Sequence, residues 1–376
     1  MFLGFAAVGA VVFGVAVMKD PTRAWSSFVH NHFYFMSLAV GGLFFAAIQW
    51  LTGAMWSAPV RRLAESYTGY LPLAIASFGI LYFGADSIYE WTDHDKVAAD
   101  LVLSHKAGYL NKSFFWIRNL VALGVWWFFA KKMIGNSVAQ DASGDVNLTL
   151  RNRALAPAFL ILFALTFTMA SYDQMMSLDA HWFSTIFGVY CFAGLFYSTL
   201  ALTTLFAVFF RRQGALKGIV TDDHLHDLGK FLFAFTIFWA YIAFSQFLLI
   251  WYANLPEETM YFLTRLENGW IYVSIFLLCG KFLVPFLLLM PRDAKRSESR
   301  LIFVASFMLV AQWIDVLWLV QPEFLKSGPR VGWIEIGVML GFVGFFGTMV
   351  MRFMSTKSVL AARDPKLPES VFHHHQ

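Results

Sequence analysis

Long apolar runs separated by short polar joints dominate the pattern along this 376-residue chain. Ten of them are long enough to cross a bilayer, which takes roughly 17–25 apolar residues in an α-helix. They cover approximately residues 2–18, 33–56, 67–85, 114–130, 154–172, 183–210, 228–252, 270–290, 301–320 and 333–354. Only helices and closed barrels satisfy every backbone polar group in hydrocarbon, and unbroken runs of this length select the helix. The pattern therefore predicts an all-α polytopic membrane protein of about ten transmembrane helices. Composition agrees: 59% of residues are hydrophobic and only 14% charged, against about 25% charged in a soluble domain.

The joints carry the charge, and their asymmetry predicts orientation. Of 28 Lys and Arg, eighteen fall in one set of joints, among them Arg61, Arg62, Lys131, Arg151, Arg211, Lys295 and Lys357. Nine fall in the other set, and Lys281 alone lies deep in a helix. The positive-inside rule then puts both termini in the cytoplasm. The net charge of +4 sits in these loop ends and calls for no nucleic acid. The first run lacks a charged leader and a clear cleavage site, so it reads as a retained helix. Cys191 and Cys279 lie in separate helices with no C-x-x-C, and read as small buried apolar residues. They supply no disulfide framework, cysteine-held iron–sulfur cluster or c-type haem attachment, and no metal set is apparent.

Helices two to five and six to nine each form a set of four with the same starting direction. The fifth and ninth carry "ASYDQMMSL" and "AQWIDVLWL", each with an aspartate near the exit, as a parallel duplication of a four-helix bundle would give. The plan is two four-helix bundles plus two peripheral helices. Residues 1–29 form the first peripheral helix and outer loop, 30–181 the first bundle and 182–330 the second. Residues 331–355 form the tenth helix and 356–376 a cytoplasmic tail. In the tenth, Gly337, Gly341 and Gly344 make a small-residue face suited to close helix contact, within the chain or with a partner. The polar stretch 131–153 reads as a flexible linker. Its N-L-T at Asn147 falls on the cytoplasmic side, where a glycosylation match means nothing.

Ionisable side chains inside a membrane are functional hypotheses by default. At about 1.5 Å per residue, Arg118 and Gln246 lie roughly 8 Å below the outer face, Asp315 about 10 Å and Lys281 some 18 Å. Asp86 and Asp173 sit where the third and fifth helices emerge, with Asp179 and His181 just beyond in "SYDQMMSLDAHWFS". Such a group suits a proton exit or the head group of a quinol; a buried carboxylate must pair, protonate or bind something. Other readings stand beside this one. Arg118 and Lys112 suit interface anchors, Asp86 suits a loop carboxylate, and His30 and His32 suit interfacial histidines at the start of the second helix. Lys281 is placed to pair with Asp315. Ser198, Thr199, Thr203 and Thr204 line the inner half of the sixth helix, or simply bond their own backbone. No two histidines face each other mid-membrane, which argues against a b-type haem. The terminal "HHHQ" reads as a polar end.

Four segments are specific enough to compare with a known family. "YIAFSQFLLIWYANLPEET" at 241–259, "SYDQMMSLDAHWFSTIFGVY" at 171–190, "HKAGYLNKSFFWIR" at 105–118 and "DPKLPESVFHHH" at 364–375 resemble one of the two homologous families of membrane subunits in bacterial alternative complex III. That complex is a quinol:electron-acceptor oxidoreductase, and both families are similar to the polysulfide-reductase membrane anchors. The resemblance spans essentially the whole chain. It implies two four-helix bundles plus two peripheral helices, in a bacterial inner membrane. It also implies partners: a homologous membrane subunit, an iron–sulfur subunit, multihaem cytochrome c subunits, lipids and, in some cases, a terminal oxidase. Haem and iron–sulfur clusters would then belong to partner subunits alone, with a quinone or lipid as this chain's own ligand. Quinol oxidation in the complex is usually assigned to the homologous sister subunit, leaving to the family that this chain resembles a structural role and a proton path through its bundles.

Two rival readings stand against this one. A secondary transporter also has paired bundles and midplane charges, and predicts facing broken helices. Pro285 in the eighth helix has no counterpart break in the fourth. A purely structural anchor predicts that neutralising Asp173 or Asp315 disturbs assembly and spares turnover.

Overall fold

A computed structural model describes residues 1–372; the terminal histidines of "HHHQ", and the end of the 364–375 segment, lie outside the described residues. Ten helices are long and apolar enough to span a membrane, and no strand occurs among the described residues. We number them α1 (Phe2–Lys19), α2 (Pro21–Thr52), α3 (Ala58–Ile88), α4 (Lys112–Ser143), α5 (Val146–Gln174), α6 (Phe187–Arg212), α7 (Asp222–Ala253), α8 (Trp270–Leu289), α9 (Glu298–Phe324) and α10 (Trp333–Thr356). An even number of crossings puts the two ends of the helical array on one side, the termini face. The opposite side is the far face.

Local chemistry sets the helix ends. Asp20 caps α2 by accepting from Arg23 N at 3.2 Å, with Pro21 in the first turn where no N–H is needed. Asn111 caps α4 by accepting from Phe114 N at 2.9 Å, and Asp145 caps α5 through Asn147 N at 2.9 Å. Between α4 and α5 only Gly144 and Asp145 leave the helix, Gly144 with φ 69°. The expected flexible linker at 131–153 is therefore wrong: both helices project beyond the hydrocarbon and meet in a two-residue corner. The start of α2 also differs from the hydropathy reading. It begins at Pro21, so His30 and His32 lie about 14–17 Å inside a continuous helix and are fully buried. They are not interfacial.

The helices close into two rings. In the first, α2 packs on α3 and α5, and α4 on α3 and α5; in the second, α6 packs on α7 and α9, and α8 on α7 and α9. The rings meet along α2 and α6, which touch each other, with α2 also packing on α9 and α6 on α5. This reciprocal exchange is what a parallel duplication produces. The helices α1 and α10 pair with each other and lie against α2. Their seam is the glycine face: a Cβ on Gly9 would fall 2.1 Å from Gly341 Cα, and one on Gly344 would fall 2.2 Å from Ala6 N. Those glycines thus serve packing within the chain. Cys191 is buried as expected, but Cys279, within the π-turn Leu277–Leu283 of α8, is exposed.

Candidate functional site

Each ring contains one buried ion pair between its third and fourth helices. In the first ring, Arg118 of α4 grips Asp173 of α5 with two parallel bonds, Nη2–Oδ1 at 2.8 Å and Nε–Oδ2 at 3.0 Å. The side chains are 5% and 1% exposed, so the bidentate pair is shielded from solvent screening. Asn119 Nδ2 donates to Asp173 Oδ2 at 3.0 Å and accepts at Oδ1 from Gln174 Nε2 at 2.8 Å. Gln174 lies beside His32, whose Nδ1 is 2.8 Å from Ser77 Oγ on α3. The polar string therefore runs from α4 through α5 and α2 to α3. The guanidinium also stacks on Tyr109, 3.7 Å from the ring centroid. Partial burial and the nearby Asp173 carboxylate push the Tyr109 phenol up to about 12.

In the second ring, Lys281 of α8 meets Asp315 of α9, with Nζ 2.6 Å from Oδ2. The ammonium also donates to Gln312 Oε1 at 2.6 Å and sits 4.1 Å from the Trp239 ring centroid. Tyr190 OH of α6 donates to Asp315 Oδ1 at 2.5 Å. Neither charged side chain exceeds 1% exposure. The π-turn in α8, followed by Pro285, carries Lys281; such turns are frequent at functional sites. A small cavity of about 10 Å³ adjoins the pair, lined by Ser37, Tyr190, Ser198, Gln312 and Asp315 among others. That is close to the space one water needs, and Ser37 Oγ at its wall is buried without a protein partner.

Polar groups continue from the second pair toward the termini face. Ser198 lines the small cavity, and Thr203, one and a half turns on, accepts from Tyr67 OH at 3.2 Å. Ser198, Thr199, Thr203 and Thr204 each also donate to a carbonyl of their own helix. Two residues from Tyr67, Glu65 is fully buried, accepts hydrogen bonds from Arg61 Nε at 3.2 Å and Ser137 Oγ at 2.9 Å, and forms an ion pair with Arg62, whose Nε is 3.1 Å away. Arg61 also pairs with Asp364 of the tail, and Arg62 with Asp141 at 2.8 Å. This cluster was missed by sequence reading, which counted Arg61 and Arg62 as loop charges. The signal was present in "RRLAESY": on a helix, Glu65 falls three and four residues after the two arginines.

The remaining expected residues lie apart from these strings. Asp86 pairs with Lys112 at 2.5 Å on the surface, 68% and 40% exposed. Asp179 Oδ1 caps a turn at Trp182 N, 3.3 Å away. His181 joins Asp100 at 2.7 Å and Glu90 at 3.4 Å, pinning the 89–111 connection to the far end of α5. That contact holds the Asp100 carboxyl below its ordinary range. Gln246 donates to Ser184 Oγ at 3.0 Å and lines a separate apolar groove. His30 Nε2 meets Trp313 O at 2.9 Å on α9 while His32 turns to α3, so the two imidazoles diverge. Among the described residues no group of three or more His, Cys, Asp or Glu is arranged to hold a metal ion. No protein-family model matches the chain, and comparison with curated proteins finds no match.

Proposed function

We propose that this chain is an integral membrane subunit of a respiratory quinol:electron-acceptor oxidoreductase, without a redox centre of its own, and that its buried ion pairs handle protons. The four segments that resemble membrane subunits of alternative complex III support the assignment to a complex. The proton role is supported above all by one observation: Asp315 is held between Lys281 Nζ and Tyr190 OH at 2.6 and 2.5 Å, inside the second ring. Quinol oxidation in a partner subunit sends electrons to that partner's clusters and releases two protons. A carboxylate that accepts one of them loses its hold on the facing ammonium, so protonation and side-chain position are coupled. Ser37, Ser198, Tyr67 and Glu65 then offer successive hydroxyl and carboxyl oxygens toward the termini face; the Lys and Arg asymmetry supports the cytoplasmic side for that face, and the family resemblance supports a bacterial inner membrane.

The transporter reading gains no support from helix geometry. It calls for matched breaks in the two repeats, whereas α8 carries a π-turn and its equivalent α4 is an uninterrupted helix of 32 residues. The test begins with gentle extraction from native membranes. Co-migration with iron–sulfur and multihaem c-type partners and quinol-oxidising activity is the expected result; a chain that migrates alone, without chromophores, defeats the assignment. In the assembled complex reconstituted into vesicles, Asp315→Asn should lower the number of protons released at the termini face per quinol oxidised. Unchanged release with unchanged turnover would remove the proton role and leave a structural anchor.

A further inference from the structure

A groove of about 490 Å³ runs between α7 and α8, on the side of the second ring away from α2. It exists because the two helices separate. The α7 helix packs on the Leu277–Leu283 turn and the Val284–Leu289 end of α8, whereas the Trp270–Phe276 end packs on α9. The small side chains Ala240 and Ala243 leave the space open. On its rim, Phe244, Leu278 and Ile275 are 60%, 59% and 49% exposed. In a membrane span these side chains face hydrocarbon, so the groove opens sideways into lipid.

One end of the groove is charged. Arg265, in the joint between the short helix Pro256–Thr264 and the start of α8, lines it and is only 3% exposed. Its guanidinium donates to the carbonyls of Trp318, Tyr261 and Leu319 at 3.2, 2.9 and 2.9 Å and stacks 3.3 Å from the Tyr261 ring centroid. Carbonyls satisfy three of its five N–H groups and leave the positive charge uncompensated. No ion pair to a carboxylate forms among the described residues; the carboxylates that act on it, Asp179 and Glu323, do so only through space. A buried cation without a counter-ion is costly, and burial pulls this guanidinium below its ordinary pKa. From Ile271 to Phe282 the groove descends about 16 Å along α8, half of a hydrocarbon core of about 30 Å. Charge at the membrane surface over one leaflet's depth of apolar wall matches a phospholipid in shape and sign.

We propose that the α7–α8 groove holds one acyl chain of an anionic phospholipid, its phosphate seated on Arg265. The proposal does not rest on the proton role, although Tyr190 and Trp239 line both the groove and the Lys281–Asp315 site. A neutral prenyl lipid fits the apolar wall equally well, but it supplies no counter-charge for the guanidinium. The test is native mass spectrometry of the full chain in mild detergent, after stepwise delipidation and exchange into phosphatidylglycerol or phosphatidylcholine. The expected result is one retained phosphatidylglycerol per chain, held at least tenfold better than phosphatidylcholine. Arg265→Gln should level that preference. Ala243→Trp, which fills the groove from a lipid-facing helix, should abolish retention with an unchanged elution profile. Equal exchange of the two lipids in the wild type, full retention in Ala243→Trp, or retention of a neutral prenyl lipid would each overturn the proposal.

Discussion

Replacing Asp315 by asparagine preserves shape and one acceptor oxygen for Tyr190 while stranding a charge. Lys281 Nζ would keep Gln312 Oε1 at 2.6 Å and the Trp239 ring at 4.1 Å, but lose the only carboxylate within ion-pair reach of it among the described residues. Both side chains are at most 1% exposed, so solvent gives little relief. Breaking a buried pair by removing one partner costs on the order of 3–5 kcal/mol. Lys281→Met leaves a carboxylate that Tyr190 still serves and should fall at the low end of that range. Neutralising both groups removes both desolvation penalties, and such replacements are often neutral or stabilising by about 1–4 kcal/mol. Asparagine in the double variant still accepts from Tyr190, so Lys281→Met with Asp315→Asn isolates the charge coupling. At about 2 °C per kcal/mol for a long chain, each single change should lower the apparent melting midpoint by roughly 6–10 °C. The double variant should recover more than half of the loss. Size-exclusion chromatography after graded heating in one detergent, at a fixed heating time because unfolding is irreversible, reads this directly. A double variant that loses the sum of the two singles would show that the charges do not stabilise each other.

The first-ring pair makes a parallel prediction. Asp173→Leu leaves Arg118 with only the Tyr109 carbonyl at 3.0 Å among its polar contacts and should cost about 3–5 kcal/mol, read as the same thermal shift; no shift would mean the guanidinium finds water instead. Gly9→Leu places a side chain where even a Cβ would sit 2.1 Å from Gly341 Cα, so α1 should detach from α10. Limited proteolysis should then cut within residues 1–19 while the rings stay folded, and unchanged protection of α1 would refute the seam. Asp100 has a depressed folded-state pKa through His181, so its contribution is present above the unfolded value near 3.9 and disappears as pH falls through the folded value. Protection factors of the amides from 94 to 106, taken against the intrinsic exchange rate at each pH, should therefore fall below about pH 4, with Glu90 and Lys106 as the neighbouring charges. Asp100→Asn should remove that step, and its persistence would assign it to another group.

Hydropathy located all ten spans because burial in lipid is written into each segment separately. Its errors fall where a partner distant in sequence changes the meaning of a residue. "WSSFVHNH" looked like an interface because it is polar, yet Ser27, His30 and Asn31 face Gln321 and Trp313 of α9 across the join between the rings. The 131–153 stretch looked like a linker for the same reason, although polar residues continue a helix readily once it leaves the membrane. The pairing of Lys281 with Asp315 was legible, since two opposite charges inside adjacent helices have few other options. The pairing of Arg118 with Asp173 was not separable from surface anchoring without knowing which faces meet. Asp86, Asp179 and His181 share the far face with Asp173, and proximity to one end of the bundle is all the sequence established for them. Glu65 went unread because the third apolar run begins at residue 67, which left Glu65 and its two arginines outside the expected helix.

The α2 helix has a consequence for synthesis. Groups that answer its polar residues are made much later in the chain: Trp313 bonds His30 across 283 positions, and Glu335 bonds Arg23 across 312. Until α9 and α10 are made, α2 must wait without the partners of the His30 imidazole, the Asn31 carboxamide oxygen and the Arg23 guanidinium. A nascent chain stalled before residue 313 therefore exposes a sticky polar face inside lipid. That interval is when an insertion chaperone, or a wrongly chosen helix from another protein, has its best opportunity to bind.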